Sequence, residues 1–248
     1  MVLKQSAWTR WRRCRSCLCE SGALFRDGGL HGSVMKELTI PSVGIQGREP
    51  KRRGNRATRV PEILEVSIKI FASEGNAGFT QTRVAGDAGI RLSTLQHYFG
   101  TRDNLLQSTI KEMATRYLER YKALAKSKIT PEAALDALVD DVFAELTNPA
   151  SAISPFALQC WSLAESEAFV KALMAEINGE FQEVFAALVA KINPALTSRE
   201  CVLRGALILS HLQGLMVYIR RTGDSLPDLA TLRVATKAVW RALSTAPE

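Results

Sequence analysis

The feature that most constrains the fold of this chain is a helical pattern of apolar residues that runs from Pro61 almost to the end of the sequence. Ile63, Leu64 and Ile68 begin an i, i+4 pattern, which places apolar side chains on one face of a helix. Similar patterns recur downstream, and no stretch of alternating apolar and polar residues indicates a strand. The sequence therefore predicts an all-α protein.

Capping residues divide this pattern into separate helices. Gly75, Gly89 and Gly100 predict the ends of the first three helices, because glycine readily adopts a positive φ. Pro61 is expected in the first turn of the first helix, and Thr80 is expected to cap the second. Later helices are expected to begin at Thr101, Thr130-Pro131, Ser154-Pro155, about residue 167, Thr197 and about Asp228. The prediction is three N-terminal helices followed by about six more.

The positive charge of the chain is concentrated at its N-terminus. Residues 1–60 carry 13 Lys and Arg against 4 Asp and Glu, a net +9, whereas residues 61–248 carry 19 against 21, a net −2. This asymmetry indicates that one end of the molecule binds a polyanion. On charge alone DNA, RNA and an anionic membrane all remain open, as does a solvated tail without a partner.

Residues 1–54 are expected to form a basic, disordered leader, because they show no sustained period. Met35 is a second candidate for the initiating residue. The motif Cys14-x-x-Cys17-x-Cys19, with His31 downstream, lacks a second pair of ligands at zinc spacing, so no metal site is expected.

Neither a secretory signal nor a membrane-spanning helix is expected. The basic N-terminus lacks an uninterrupted apolar segment before a cleavage site. The longest apolar runs are interrupted by Arg204, His211 and Gln213, and none reaches the ~20 residues of a membrane span. Five cysteines in 248 residues do not form a disulfide framework, which favours a reducing cytoplasm.

The most specific segment is TQTRVAGDAGIRLSTLQHYF, which begins at Thr80. Ala85, Gly89 and Leu95 have the spacing of a helix-turn-helix, in which a small residue lets two helices cross. The glycine supplies a positive φ at the turn, and the leucine anchors the second helix. The segment therefore predicts a DNA-binding helix-turn-helix.

Residues 59–106 resemble the DNA-binding domain of the TetR/AcrR family of bacterial transcriptional regulators. The resemblance is carried by Ile63-Leu64, Phe71-Ala72, Glu74-Gly75, Val84-Ala85, Ala88-Gly89-Ile90, Thr94-Leu95 and Tyr98-Phe99. It implies a helix-turn-helix domain over residues 55–104 and a ligand-binding and dimerisation domain over residues 105–248. It also implies a homodimer that binds a palindromic double-stranded DNA operator as a repressor and is released by a small hydrophobic effector.

Three residues depart from the family pattern. The family usually has a serine that caps the recognition helix, where this chain has Arg91, so the cap has to come from another group or is lost at a cost of about 1 kcal/mol. Gly86 lies inside the second helix, where glycine costs about 1 kcal/mol relative to alanine. The common tyrosine before His-Tyr-Phe is replaced by Gln96. Because Gln96 is expected to face the DNA groove, the operator of another member cannot be transferred to this chain.

The residues expected to contact DNA lie on the recognition helix and around it. Gln96 can pair with adenine, and Arg91 with guanine or a phosphate. The remaining residues are expected on the phosphate backbone or, for the basic arm, in a minor groove. The full set is Lys51, Arg52, Arg53, Arg56, Thr80, Gln81, Thr82, Arg91, Ser93, Thr94, Gln96, His97, Tyr98, Thr101 and Arg102. It remains open whether Tyr98 belongs mainly to the core and whether His97 is only a surface or capping group.

The C-terminal half shows no catalytic constellation and no cofactor motif, so neither catalysis nor a cofactor is expected. A cavity between its helices is expected to hold the effector. The candidate lining residues are Tyr117, Tyr121, Phe143, Phe156, Trp161, Phe169, Phe181, Phe185, His211, Gln213 and Met216. The candidate dimer interface comprises Leu203, Leu207, Leu212, Leu215, Leu232, Val239 and Trp240. A constitutive DNA binder without an effector remains an alternative, as does a helical interaction module with vestigial DNA binding.

Overall fold

The computed structural model describes residues 56–225 and 227–247, and within them the chain forms nine α-helices and no strand. The helices are α1 (Arg56–Gly78), α2 (Gln81–Asp87), α3 (Leu92–Phe99), α4 (Arg102–Ala125), α5 (Pro131–Thr147), α6 (Ile153–Ala164), α7 (Ala168–Ile192), α8 (Ser198–Arg221) and α9 (Leu229–Thr245). A short 3-10 helix lies at Gly223–Ser225. The all-α prediction is confirmed. The predicted leader and its motif Cys14-x-x-Cys17-x-Cys19 with His31 lie outside the described residues.

Helix boundaries follow the local capping signals at most positions. The hydroxyl oxygens of Thr80 and Thr101 accept hydrogen bonds of 3.1 Å from the backbone N–H groups of Arg83 and Asn104. Thr130 and Thr197 cap α5 and α8 in the same way, and the Asp228 carboxylate caps α9. Gly89 and Gly100 adopt φ values of +63° and +68°, as predicted for helix ends.

Two predicted helix starts are wrong. Helix α1 begins at Arg56, so Pro61 lies inside it, where it removes one backbone hydrogen bond. Helix α6 begins at Ile153 after Ala152, which provides no side-chain cap, so Ser154 lies within the helix. Gly75 has the predicted positive φ, but the helix resumes beyond it and ends at Gly78.

The buried residues form two apolar clusters that α4 connects. One cluster surrounds Phe71, Phe79 and Leu95 and is completed by residues of α4, α6 and α7. The other surrounds Phe185 and Trp240 and includes residues of α4, α5, α7, α8 and α9. The predicted domain division after residue 104 falls in the first turn of α4. The helix-turn-helix therefore shares its core with the helical bundle.

Helix α8 is long and apolar enough, by length and composition alone, to cross a membrane, although the sequence suggested no such segment. Leu212 and Leu215 on its inner face are buried in the bundle core. Both leucines were expected at a dimer interface together with Trp240, which is also buried. That prediction is wrong for these three residues, because the core of their own chain already covers them. Leu203, Leu207 and Val239 from the same set are exposed.

The guanidinium of Arg204, on α8, holds the end of α9. The residue is only 5% exposed. Its Nε forms an ion pair of 2.8 Å with Glu200, and its Nη1 donates to the Leu243 carbonyl at 3.1 Å. The other terminal nitrogen donates to the Pro247 carbonyl at 3.0 Å. Since the last carbonyls of a helix lack backbone partners, these bonds satisfy groups that would otherwise be unpaired.

Replacing Arg204 with lysine should destabilise the protein, because a single ammonium cannot span the separated carbonyls that the planar guanidinium reaches. We expect a loss of about 2 kcal/mol in unfolding free energy, equivalent to a fall of roughly 4–8 °C in Tm. Thermal unfolding followed by circular dichroism measures the fall in Tm. The matched control is Arg199→Lys, on an exposed position of the same helix, which should leave Tm unchanged. An unchanged Tm for Arg204→Lys would contradict the assigned role.

Candidate nucleic-acid interface

Helices α2 and α3 form the helix-turn-helix that the sequence predicted. Val84 and Ala85 on α2 and Leu95 on α3 are all buried. The turn is closed by a hydrogen bond of 3.0 Å from the Ile90 N–H to the Ala85 carbonyl. Because the buried side chains all lie on the inner side of the pair, the opposite side of α3 is left uncovered by the described residues.

The uncovered side of α3 carries the residues expected to contact DNA. Arg91, Ser93, Gln96 and His97 are exposed, and Thr94 and Tyr98 are half-buried. Arg91 occupies the N-cap position without a side-chain capping bond, as its side-chain chemistry led us to expect. Among the described residues, neither Arg91 nor Gln96 has a side-chain hydrogen-bond partner. Their donors and acceptors therefore remain available to a ligand outside the chain.

Residues at the N-termini of α2 and α4 flank this surface. The capping oxygens of Thr80 and Thr101 accept backbone hydrogen bonds, so each hydroxyl proton remains free to be donated. Thr82 is exposed, whereas Gln81 uses its side-chain Nε2 to donate to the Gly100 carbonyl at 2.8 Å. Gln81 thus links the start of α2 to the end of α3 and has less capacity left for a phosphate.

Arg102 has internal partners instead of the free guanidinium that a phosphate contact needs. Its Nε donates to the Phe79 carbonyl at 2.9 Å, and its Nη2 donates to the carbonyl and side-chain oxygens of Asn76. The guanidinium carbon also lies 5.7 Å from the centre of the Phe79 ring. We therefore assign Arg102 a positioning role, because these contacts fasten α4 to the α1–α2 connection.

Leu92 is an exposed residue of α3 that the sequence reasoning missed. It is 38% exposed, on the first turn of the recognition helix beside Arg91 and Ser93. An apolar side chain at such a position can contact the methyl group of thymine in the major groove. The signal was present in the sequence, because the inward positions Ile90 and Leu95 leave position 92 on the outer side.

The basic arm lies mostly beyond the part of the chain that can be described. Lys51, Arg52 and Arg53 fall outside the described residues. Arg56 is exposed at the first position of α1. The DNA contacts predicted for the basic arm therefore rest on its positive charge alone.

A cavity of about 90 Å³ lies among α4, α6, α7 and α8, and we call it the chamber. Seven of the residues expected to hold an effector line it: Tyr117, Tyr121, Phe156, Trp161, Phe181, Gln213 and Met216. The other lining side chains include Met113, Cys160 and Asn178. Burial raises the pKa of the Cys160 thiol to about 12, so this residue is a neutral part of the wall.

Four residues expected at the cavity lie elsewhere. Phe143 and Phe185 are buried in the bundle core, and Phe169 packs at the edge of the cluster around Phe71. His211 accepts a hydrogen bond of 3.0 Å from the indole N–H of the buried Trp240, through its Nδ1. These side chains point to other neighbours because the helical period alone does not distinguish a cavity wall from ordinary core.

The architecture defines a helix-turn-helix protein in which α2 and α3 are joined to a helical bundle with a cavity between its helices. No family model matches the chain. Among curated proteins, it is similar to the HTH-type transcriptional repressor KstR2 of Rhodococcus jostii strain RHA1, with 24% identity over 130 residues. The match covers 52% of this chain and 63% of that protein, so it spans less than two thirds of the relative's length.

Solved structures share the fold over most of the described chain. A TetR transcription regulator from Haloarcula marismortui superposes with a TM-score of 0.62 at 19% identity, covering 75% of this chain and 98% of that one. The transcriptional regulator FadR from Bacillus subtilis, solved in complex with stearoyl-CoA, superposes with a TM-score of 0.59 at 18% identity, covering 76% and 100%. The resemblance to the TetR/AcrR family is thereby confirmed.

The hydrogen bond between Trp240 and His211 is expected to make the stability of the protein depend on pH. Burial lowers the pKa of His211 below the 6.5 of a free histidine, so the folded state favours the neutral ring that accepts the indole proton. The unfolded chain takes up the proton first as the pH falls, so this contribution to stability is complete above pH 6.5 and declines below it.

Replacing His211 with asparagine, which keeps an acceptor but cannot be protonated, should reduce the loss of Tm on going from about pH 7.5 to about pH 5.5. Thermal unfolding of both proteins at the two pH values measures the difference. Other titrating groups are common to both proteins and cancel in the comparison. An equal loss of Tm in the two proteins would contradict the role assigned to His211.

Proposed function

We propose that this chain is a cytoplasmic, ligand-responsive transcriptional regulator that binds a palindromic DNA operator as a homodimer and acts as a repressor. The observation that carries the proposal is the uncovered face of α3, where Arg91 and Gln96 have no partner among the described residues. KstR2, to which the chain is similar, is described as a repressor. The partners are double-stranded DNA, a second copy of the chain and a small hydrophobic effector.

Gln96 is the residue proposed to read a base. A glutamine in the major groove can form two hydrogen bonds with the edge of adenine, and such a pair discriminates between bases by about 1–3 kcal/mol. Ser93 lies one turn earlier on the same face, and Arg91 lies at the end nearest the preceding turn. A short helix with these side chains therefore supports sequence-selective binding.

Replacing Gln96 with alanine should change which DNA sequences the protein selects. We expect the preference for adenine at one position of each half-site to fall by roughly fivefold to 100-fold. Selection from a random duplex library by the full chain, followed by titration of the selected duplexes, measures the preference. The matched control is Gln107→Ala, on an exposed position of α4, which should leave the preference unchanged. If Gln96→Ala weakens every duplex equally, Gln96 does not read a base.

The outer faces of α8 and α9 support the proposed homodimer. Large apolar side chains are exposed on both helices: Val202, Leu203, Leu207, Val217 and Tyr218 on α8, and Val234 and Val239 on α9. Exposed small residues lie between them, including Ser210, Gly214 and Ala238. Small residues allow two helices to approach closely, and a two-fold axis would pair this surface with itself. An exposed apolar surface on neighbouring helices is typical of an interaction site.

Replacing Leu207, which is 46% exposed, with glutamate should convert the dimer into monomers. A charge at the centre of an apolar interface would be buried without a partner. Sedimentation equilibrium should give half the mass of the unaltered protein, and affinity for a full palindrome should fall towards that for a half-site. The matched control is Ile129→Glu, which is 48% exposed between α4 and α5 and should remain dimeric. A dimer that survives Leu207→Glu would contradict the proposed interface.

The chamber supports the effector part of the proposal. It lies between helices of the bundle, and its wall residue Phe156 packs against Phe71 of α1. FadR from Bacillus subtilis, which shares the fold, was solved with stearoyl-CoA. In the proposed mechanism, a ligand in the chamber favours an arrangement of the two reading helices that no longer fits successive half-sites.

A further inference from the structure

The wall of the chamber carries no charged side chain among the described residues. Its lining consists of aliphatic, aromatic and sulfur-containing residues together with the polar side chains of Tyr117, Tyr121, Asn178 and Gln213. An ion moved into such a space loses its hydration and gains no opposite charge, which is costly unless the group becomes neutral. The chamber therefore disfavours binding of a ligand whose charged group would lie within the chamber.

Two arginines, Arg116 and Arg120, line a neighbouring cleft that shares Met113 and Tyr117 with the chamber. Arg116 forms an ion pair of 2.8 Å with Glu65 on α1. Arg120 forms ion pairs with Asp141 and with Glu145, the latter at 2.7 Å. These carboxylates already neutralise both guanidinium groups, so neither is available to an anion in the chamber.

The Tyr121 hydroxyl is an unused hydrogen-bonding group in the wall of the chamber. Tyr121 is only 4% exposed, and its hydroxyl has no hydrogen-bond partner among the described residues. Burial raises the pKa of Tyr121, so the hydroxyl keeps its proton and can donate it. Among the described residues, the side-chain atoms that are fully buried and have no hydrogen-bond partner belong to Ser67, Asp140, Asp141 and Thr236. The Tyr121 oxygen is not one of them, so it is not fully buried, and Tyr121 is one of the residues that line the chamber.

A second neutral polar group lies at the wall where α7 and α8 meet. The side-chain Nε2 of Gln213 donates to Oδ1 of Asn178 at 3.0 Å. This bond leaves the Gln213 oxygen and the Asn178 nitrogen without partners among the described residues. The unpartnered polar groups in the wall of the chamber are thus the Tyr121 hydroxyl, the side-chain oxygen of Gln213 and the side-chain nitrogen of Asn178, and all three are neutral.

We infer that the chamber selects a small uncharged molecule with an apolar body and one neutral hydrogen-bonding group, such as a hydroxyl or carbonyl, which bonds to the Tyr121 hydroxyl. This inference rests on the proposed function, because it names the ligand class of the same cavity. The chamber is partly open, and its volume of about 90 Å³ is below the ~150 Å³ of an apolar cavity that holds benzene, so the probes below carry a single ring.

Three probes of nearly equal shape test the ligand class on the unaltered full chain: 4-methylphenol, toluene and 4-methylbenzoate. We expect 4-methylphenol and toluene to raise Tm and to give saturable heats in calorimetry, and 4-methylbenzoate to do neither. The inference is overturned if the benzoate binds as tightly as the phenol, or if neither neutral probe binds. These measurements need no substitution, so they do not depend on a variant folding.

One substitution tests whether the ligand uses the Tyr121 hydroxyl. Tyr121→Phe removes the unpartnered hydroxyl and should weaken binding of 4-methylphenol by about fivefold while leaving binding of toluene unchanged. Toluene is the internal control, because it has no hydroxyl that could bond to Tyr121. Unchanged phenol binding in this variant, or equal weakening of both probes, would overturn the assignment of Tyr121.

The effect of each probe on the affinity of the protein for a selected DNA duplex separates failure of this inference from failure of the proposed function. If the neutral probes bind in the chamber but DNA affinity does not change, the ligand class stands and the release mechanism fails. If 4-methylbenzoate alone releases the DNA, the release mechanism stands and the ligand class is wrong. If 4-methylphenol releases the DNA and Tyr121→Phe weakens this release, both the ligand class and the release mechanism are supported.

Discussion

The packing of Phe156 against Phe71 is the contact on which the arrangement of this chain depends. The ring centroids lie 5.1 Å apart at an interplanar angle of 66°, an edge-to-face arrangement. Phe71 packs in turn against Phe79 at 5.6 Å, immediately before α2. Because Phe156 also lines the chamber, one side chain belongs both to the wall of the cavity and to the core that supports the reading helix.

The helix-turn-helix needs this support because its own helices bury little. Helices α2 and α3 contain seven and eight residues, and only Val84, Ala85 and Leu95 on them are buried. Such a small unit lacks the apolar area to hold itself together. Its orientation is set from outside, by the aromatic residues packed beneath it and by Arg102, which ties the start of α4 to the α1–α2 connection. The same residues that stabilise the reading helix therefore determine where it points.

Features that depend on neighbouring residues could be predicted from the sequence, and features that depend on distant packing could not. Thr80 and Gly89 act within a few residues, so the caps and turn of the helix-turn-helix were predicted. The partners of Arg102 lie 23 and 26 residues away, so its role emerged only from the fold. Leu207 and Leu212 share one apolar helix, yet only Leu212 is buried. A periodic pattern finds apolar positions, but it does not distinguish core, cavity wall and exposed interface.

An uncharged ligand restricts how the chamber and the reading helix can be coupled. A neutral molecule exerts no long-range field on DNA phosphates, so its effect on DNA affinity has to travel through contacts inside the protein. One direct link between α1 and α4 is the ion pair of Arg116 with Glu65, but both side chains are about 40% exposed, and such pairs contribute little in water. The packed core, by contrast, resists changes as small as one methylene group. In the proposed mechanism, displacement of Phe156 by a ligand is therefore the stronger route to α1 and the reading helix.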